Sequence, residues 1–236
     1  MSTILAIETS AELASCALLA GEIVTVRSTP GVRSHSQSVL PMVQELLNEA
    51  GIALADCDAV AFGAGPGSFT GVRTACGVAQ GLAYGAGLPV LPLVTLEAMA
   101  EACRAATGAS DVLAVLDARM GEVYWAQYRF DGGKWTEVVA PALSAPQDVA
   151  PTAAEGLRAC GNGFAEYAGA FAGQPFAQGA LPDIVPHARE LALLARGALA
   201  AGQGVPAAQA QPLYLRNKVA YTSAERQAIN QAKAGA

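Results

Sequence analysis

The sequence predicts an α/β protein of two related halves, each a mixed β-sheet flanked by helices. Three observations carry this expectation. Residues 2–28 hold three short apolar runs separated by tight turns, residues 59–106 alternate strand with helix, and residues 111–140 return to short strands and tight turns. Strand–helix alternation implies parallel neighbours in one sheet, whereas tight turns imply antiparallel pairs. A chain of 236 residues suits one large domain or two small ones.

Each element follows from its residues. Runs 2–8 (STILAIE), 13–19 (LASCALL) and 22–28 (EIVTVRS) read as an antiparallel meander turning at Thr9–Glu12 and Ala20-Gly21. A helix is expected over 34–50, capped by Ser34 or Ser36 and ended by Gly51. Its Val39, Leu40, Val43, Leu46, Leu47 and Ala50 recur at the spacing of one helical face, with Pro41 near the first turn or at a kink. Residues 59–63 form a fourth strand. The loop Gly63–Phe69 follows, then a helix from Thr70, a strand near 88–94 and a helix from Thr95 to about Ala106. These make a first domain, 1–106. A second, 107–216, opens with strands at 111–118, 123–130 and 134–140. It continues with a strand at 157–161, a short helix at 164–171 and an amphipathic helix at 187–201. Residues 217–236 read as a basic tail.

Composition excludes several function classes. Charged residues are 14%, against about 25% in an average globular protein, so a disordered chain or coiled coil is not expected. The 53% apolar content includes 52 alanines, which favours close packing of helices. Net charge is −6, and residues 1–210 carry 10 basic and 19 acidic side chains. Such a body is a poor platform for nucleic acid, which needs a basic face. Only the end of the chain, with Arg216, Lys218, Arg226 and Lys233, is basic. The five cysteines are odd in number and lack a CxxC pair, as expected of reduced, buried thiols in a cytoplasmic protein. The N-terminus lacks the basic and apolar regions of a signal peptide. Residues 74–96 are uncharged, but glycines and prolines divide them into helix, turn and strand rather than a membrane span.

Two motifs point either towards an anion or towards tight turns: hydroxyls that satisfy their own backbone in the first, a strand-to-helix turn packed under the sheet in the second. Glu8-Thr9-Ser10 ends the first strand in a turn, where free N–H groups and hydroxyls beside a carboxylate form a possible vestigial nucleotide or phosphate site. The loop GAGPGSFTGVR (63–73), with Gly65, Gly67, Ser68, Thr70 and Gly71, feeds a helix N-terminus, whose N–H groups and dipole favour an anion. It lacks the lysine of a P-loop, and Ser68 is not in a G-x-S-x-G elbow. His35 and His187 stand alone, without metal-ligand spacing, and read as surface or cap residues. Gly77, Gly81 and Gly85 recur every fourth residue and mark one stripe of their helix, where another backbone approaches closely. That neighbour is either internal or a partner.

ILAIETS near the start, GPGSFTGVR at 65–73, LDARMGEVYWAQY at 116–128 and PLYLRNKVA at 212–220 together resemble the TsaB family, also called YeaZ. The resemblance runs along nearly the whole chain. It implies a two-domain actin-like, Hsp70-type ATPase fold (the ASKHA, ribonuclease H-like class). It implies a role in making threonylcarbamoyladenosine at position 37 of tRNA, as a non-catalytic subunit. The partners implied are the catalytic TsaD paralogue, which binds ATP and metal, and the small ATPase TsaE. A homodimer is implied in isolation, tRNA is met through the complex, and no cofactor is expected on this chain. The partner interface implied lies on the helices at 34–50 and 70–86, and is assigned to Val39, Val43, Leu46, Gly77, Gly81 and Gly85. Where TsaD carries two metal-binding histidines, this chain aligns Thr95 and Met99, which cannot replace imidazole. Of a second-domain nucleotide loop only Gly161-Asn162-Gly163 remains. The rival readings are a phosphotransferase using Glu8 and the glycine-rich loop, a glycopeptidase-like hydrolase using Ser68, and a tRNA-binding module using the basic tail.

Overall fold

The structure, a computed structural model, describes residues 2–30 and 35–216. Strands β1 (Thr3–Glu8), β2 (Leu13–Ala20) and β3 (Ile23–Pro30) lead to α1 (His35–Ala50). Then come β4 (Ala59–Gly65), α2 (Phe69–Ala86), β5 (Val90–Val94) and α3 (Thr95–Thr107). The second half runs β6 (Asp111–Asp117), β7 (Val123–Asp131), β8 (Lys134–Ser144), β9 (Arg158–Cys160), α4 (Gly163–Glu166), α5 (Ala168–Phe171) and α6 (Ala188–Ala200). The helix start at Ser34 and the tail 217–236 lie outside the described residues.

The first sheet has the order β3-β2-β1-β4-β5, the second β8-β7-β6-β9. In each, a three-stranded antiparallel meander is extended by parallel pairing on its first strand: β4 beside β1, and β9 beside β6. A parallel bridge from Cys160 to Leu181 stands beyond β9 where β5 stands beyond β4. The two mixed sheets flanked by helices are the fold class that the sequence predicts.

Both faces of the first sheet are covered, so β1 is apolar at every position from Ile4 to Ile7. Leu5 and Ile7 face α1 and α2, with Val39, Leu46, Ala75 and Ala79. Ile4 and Ala6 face α6, with Leu191, Ala192 and Ala195. Alternation along the strand sends neighbours to opposite faces. The second sheet packs one face on α3 through Leu96, Met99 and Cys103, and the other on Phe164 and Phe171 of α4 and α5.

The domain boundary needs a correction. Although α6 lies in the 107–216 segment, it packs on β1, β2 and β4 of the first half. Residues beyond it follow: Val205 and Val90 exchange both backbone hydrogen bonds at 2.9 Å. Alanines on both surfaces (Ala6, Ala17, Ala59 and Ala61 against Ala188, Ala192 and Ala195) bring helix and sheet close. Conversely, α3 lies on the second sheet, and α3 and α6 touch between the sheets. The last helix of each half therefore serves the other half.

Other differences are local. β8 continues to Ser144, past the expected end at Ala140, because an edge strand tolerates Pro141. Pro41 lies inside α1. His187 caps α6, its Nδ1 accepting the Arg189 N–H at 3.2 Å, whereas His35 is buried beside the Glu12 carbonyl rather than on the surface. All five cysteines are free and buried. Among the described residues, no helix is long and apolar enough to cross a membrane.

Candidate functional site

A cleft of about 490 Å³ opens between the halves, where the β1–β2 turn faces the β6–β7 turn. Ser10, Ser68, Asp117, Arg119 and Arg216 line it. The turn after β1 does not offer the free groups that the sequence suggests. Glu8, Thr9 and Ser10 are at most 1% exposed. The Ser10 N–H donates to Glu8 Oε1 at 2.5 Å, and the Thr9 hydroxyl donates to the Gly71 carbonyl at 2.6 Å. Glu8 Oε2 is buried without a partner, and burial pushes the Glu8 carboxyl above its ordinary range. The expectation of an open phosphate site at Glu8-Thr9-Ser10 is thus corrected: all three residues are buried, with Glu8 Oε1 and the Thr9 hydroxyl hydrogen-bonded within the protein and Glu8 Oε2 and Ser10 Oγ enclosed without partners.

The glycine-rich loop does the sealing. A Cβ on Gly71 would lie 1.9 Å from the Thr9 carbonyl oxygen, and one on Gly67 2.6 Å from the Ser10 carbonyl oxygen. One on Gly63 would lie 2.0 Å from Glu8 Oε2. These glycines let β4 and α2 press against the β1 turn, on backbone at Gly67 and Gly71 and on the Glu8 carboxyl at Gly63. Gly65, with φ of 105°, is left-handed and lies against the Leu213 carbonyl. The Ser68 N–H donates to the Ser10 carbonyl at 2.7 Å, and Ser68 Oγ accepts the Gly71 N–H at 3.4 Å as the cap of α2. Thr70 is exposed on the first turn. In the second half Gly161 presses against the Val115 carbonyl in the same way, and Asn162 Oδ1 accepts the Asp117 N–H at 2.9 Å.

Of the cations of the cleft, Arg119 escaped the sequence reading and Arg216 was read only as part of the basic end. Arg119 and Met120 take left-handed φ values of 61° and 60° in the β6–β7 turn, a conformation uncommon for residues other than glycine. That turn aims Arg119 across the cleft, 2.9 Å from Glu12 and 3.0 Å from Asp117. Tyr167 donates to the other Asp117 oxygen at 2.8 Å. Arg216 donates to the Ala118 carbonyl at 2.8 Å and pairs with Glu122 at 2.6 Å. Both guanidinium groups are already matched by carboxylates, so an incoming phosphate would have to displace them. The segment ending at Arg216 also ties the halves together: the Leu213 N–H donates to the Ala64 carbonyl at 2.7 Å, while Leu215 packs on the second sheet.

The outer face of α2 is different in kind. Gly77, Gly81 and Gly85 are exposed, with nothing within 4 Å of an added Cβ. Their stripe is therefore not internal packing. Tyr84 beside it is 82% exposed, and near the start of the helix Arg73 stacks 3.8 Å from the Phe69 ring centroid and donates to the Tyr214 hydroxyl at 2.9 Å. The companion assignment on α1 is corrected. Val39, Val43 and Leu46 are at most 3% exposed, because the apolar face of an amphipathic helix turns to its own sheet. Leu40, 51% exposed, is the large apolar residue that α1 leaves outside.

Thr95 and Met99, which the resemblance sets against the TsaD histidines, are fully buried. Among the described residues, no group of three or more His, Cys, Asp or Glu side chains is placed to hold a metal ion. On the same helix, burial pushes the Glu97 carboxyl from its ordinary 4.5 to about 7, aided by the charges of Glu137 and Glu101. A carboxyl raised on folding costs nothing below its unfolded pKa. It lowers stability as pH rises towards 7 and by a constant amount above that. Glu97→Gln should therefore gain up to about 3 kcal/mol on the parent between pH 4.5 and pH 8, read by urea unfolding at both pH values. A pH-independent difference would contradict the assignment.

Comparison with known proteins agrees along the length of the chain. The TsaD family model, described as tRNA N6-adenosine threonylcarbamoyltransferase, matches residues 24–220. The tRNA threonylcarbamoyladenosine biosynthesis protein TsaB of Escherichia coli K12 is 40% identical over 225 residues, covering 92% of this chain and 96% of the relative. The protein of that name from Haemophilus influenzae is 38% identical over 231 residues, covering 93% and 95%. Among solved structures, YeaZ from Pseudomonas aeruginosa superimposes with a TM-score of 0.84 at 43% identity, covering 91% of this chain and 100% of the other.

Proposed function

The chain belongs to the TsaB family of tRNA threonylcarbamoyladenosine biosynthesis proteins, and from that premise we propose that it is a non-catalytic subunit docking on a TsaD paralogue through the outer face of α2. The observation that carries this reading is the exposed stripe Gly77, Gly81 and Gly85, with open space beyond it. Glycine weakens a helix by about 1 kcal/mol per residue relative to alanine. Three of them on a solvent face are a cost without a return inside this chain, and a closely approaching partner helix supplies the return. Tyr84 at one end and the Phe69–Arg73–Tyr214 stack at the other are residue types that anchor protein interfaces.

Three features support the non-catalytic part. The cleft's arginines are neutralised by Glu12, Asp117 and Glu122, Thr95 and Met99 are core residues, and the Ser68 hydroxyl caps a helix. On this reading ATP and metal belong to the paralogue, TsaE joins the complex, and tRNA is met by the assembly rather than by this acidic chain. The buried free thiols fit a reducing, cytoplasmic setting. The same α2 face would serve a homodimer in isolation, so the paralogue should compete with self-association.

Co-purification tests this. The chain should retain its TsaD paralogue and, with it present, TsaE. Adding the paralogue to the isolated chain should dissolve any homodimer on size exclusion. Failure to retain the paralogue would defeat the reading. Ser68→Ala should leave threonylcarbamoyladenosine formation by the reconstituted set within a few fold and cost about 1 kcal/mol or less of stability. A loss on the order of 10³-fold in a variant that still docks, the scale of a lost nucleophile, would instead revive a hydrolase.

A further inference from the structure

Away from the cleft and from α2, three carboxylates meet over one buried hydroxyl. Glu97 and Glu101 lie one turn apart on α3, spaced so that both side chains point from the same face. Glu137 stands on β8 directly opposite Tyr128 of β7, and side chains directly opposite share a sheet face. Glu101 Oε2 accepts the Trp135 Nε1–H at 2.8 Å, and Trp135 packs edge-on against Tyr128 at 6.4 Å between ring centroids. These contacts bring helix and hairpin together around one spot. Beneath it, Tyr128 is 0% exposed and its hydroxyl has no hydrogen-bond partner. The charges of Glu97 and Glu137 both act on that phenol.

Among the described residues, none of the three carboxylates forms an ion pair. Arg104, one turn beyond Glu101, is stacked over the Phe130 ring at 3.8 Å. Like charges gathered without a counter-ion, over a buried hydroxyl without a partner, leave both the attraction and the hydrogen bond to something from outside. Glu137 is exposed and Glu97, Glu101 and Trp135 are half-buried, so the carboxylates border solvent with the Tyr128 hydroxyl buried beneath them.

We propose that Glu97, Glu101, Glu137 and Tyr128 form a binding site for a linear alkyl polyamine. The carboxylates are not clustered tightly enough to chelate one metal ion. They suit several ammonium groups held apart on a carbon chain, a spacing comparable to one helical turn. Trp135 offers an apolar wall to the methylenes, and the Tyr128 oxygen can accept one ammonium N–H at the floor. The site does not depend on partner docking.

Spermidine is the probe, titrated into the full chain by calorimetry and tryptophan fluorescence at constant ionic strength. Saturable binding at pH 7.5 is expected, with affinity falling at least tenfold in Glu97→Gln and severalfold in Tyr128→Phe. Tyr128→Phe keeps the ring and removes the partnerless hydroxyl, so its fold should survive, as circular dichroism would check. Binding should weaken at pH 5.5, where Glu97 is protonated, with Glu101, Glu137 and Tyr128 as the other titratable groups facing it. No saturable binding, affinity unchanged in both variants, or preference for Mg²⁺ or an arginine-containing tripeptide over spermidine would overturn the proposal.

Discussion

Gly71→Ala should destabilise the protein by about 3 kcal/mol or more, the upper range for forcing extra volume into a packed site. The new methyl carbon would lie 1.9 Å from the Thr9 carbonyl oxygen, 2.9 Å from the Thr9 carbonyl carbon and 3.3 Å from Ser10 Cα. All three are backbone atoms, so no rotamer change relieves the overlap. The hydrogen bond from the Thr9 hydroxyl to the Gly71 carbonyl, at 2.6 Å, would be strained as well. Gly77→Ala is the internal control. It lies on the same helix with nothing within 4 Å of an added Cβ, and should gain up to about 1 kcal/mol from helix propensity. Urea unfolding of the pair reads both. A Gly71→Ala chain as stable as the parent would mean that the loop glycines do not clamp the β1 turn.

Gly81→Leu should do the opposite: leave the fold intact and break the assembly. Open space surrounds the position within the chain, so the leucine meets nothing until a partner helix arrives. There it should weaken the complex with the TsaD paralogue by about 3 kcal/mol, or roughly 100-fold, as expected for overpacking at the centre of a close contact. The homodimer should weaken in step. Pull-down and size exclusion read the two assemblies, with circular dichroism to check folding. A folded variant that keeps both at parental affinity would remove α2 from the interface.

The two substitutions mark how far the sequence could be read. Strand–helix alternation located the elements because each apolar run has the length and punctuation of one strand or one helix. Burial could not be read at α2, where alanine and glycine alternate and both are small; only the structure separates the Ala75–Ala79–Ala83 face inside from the Gly77–Gly81–Gly85 face outside. At α1 the periodicity found the apolar stripe of Val39, Val43 and Leu46, but that stripe fills the core and cannot also meet a partner. The exchange of α3 and α6 between halves was hidden because adjacency in sequence suggests adjacency in space, and the alanine surfaces that bring α6 onto the first sheet carry no directional label. Arg119 escaped notice for a different reason. Its left-handed backbone is rare for its residue type, and its partner Glu12 lies in the other half of the chain.

The most direct test of the central claim is a leave-one-out assay of threonylcarbamoyladenosine formation on tRNA with this chain, its TsaD paralogue and TsaE, supplied with the threonylcarbamoyl donor. The account predicts modification by the complete set, none by this chain alone, and loss when it is omitted or replaced by Gly81→Leu. Transfer catalysed by this chain alone, or undiminished transfer without it, would contradict the account.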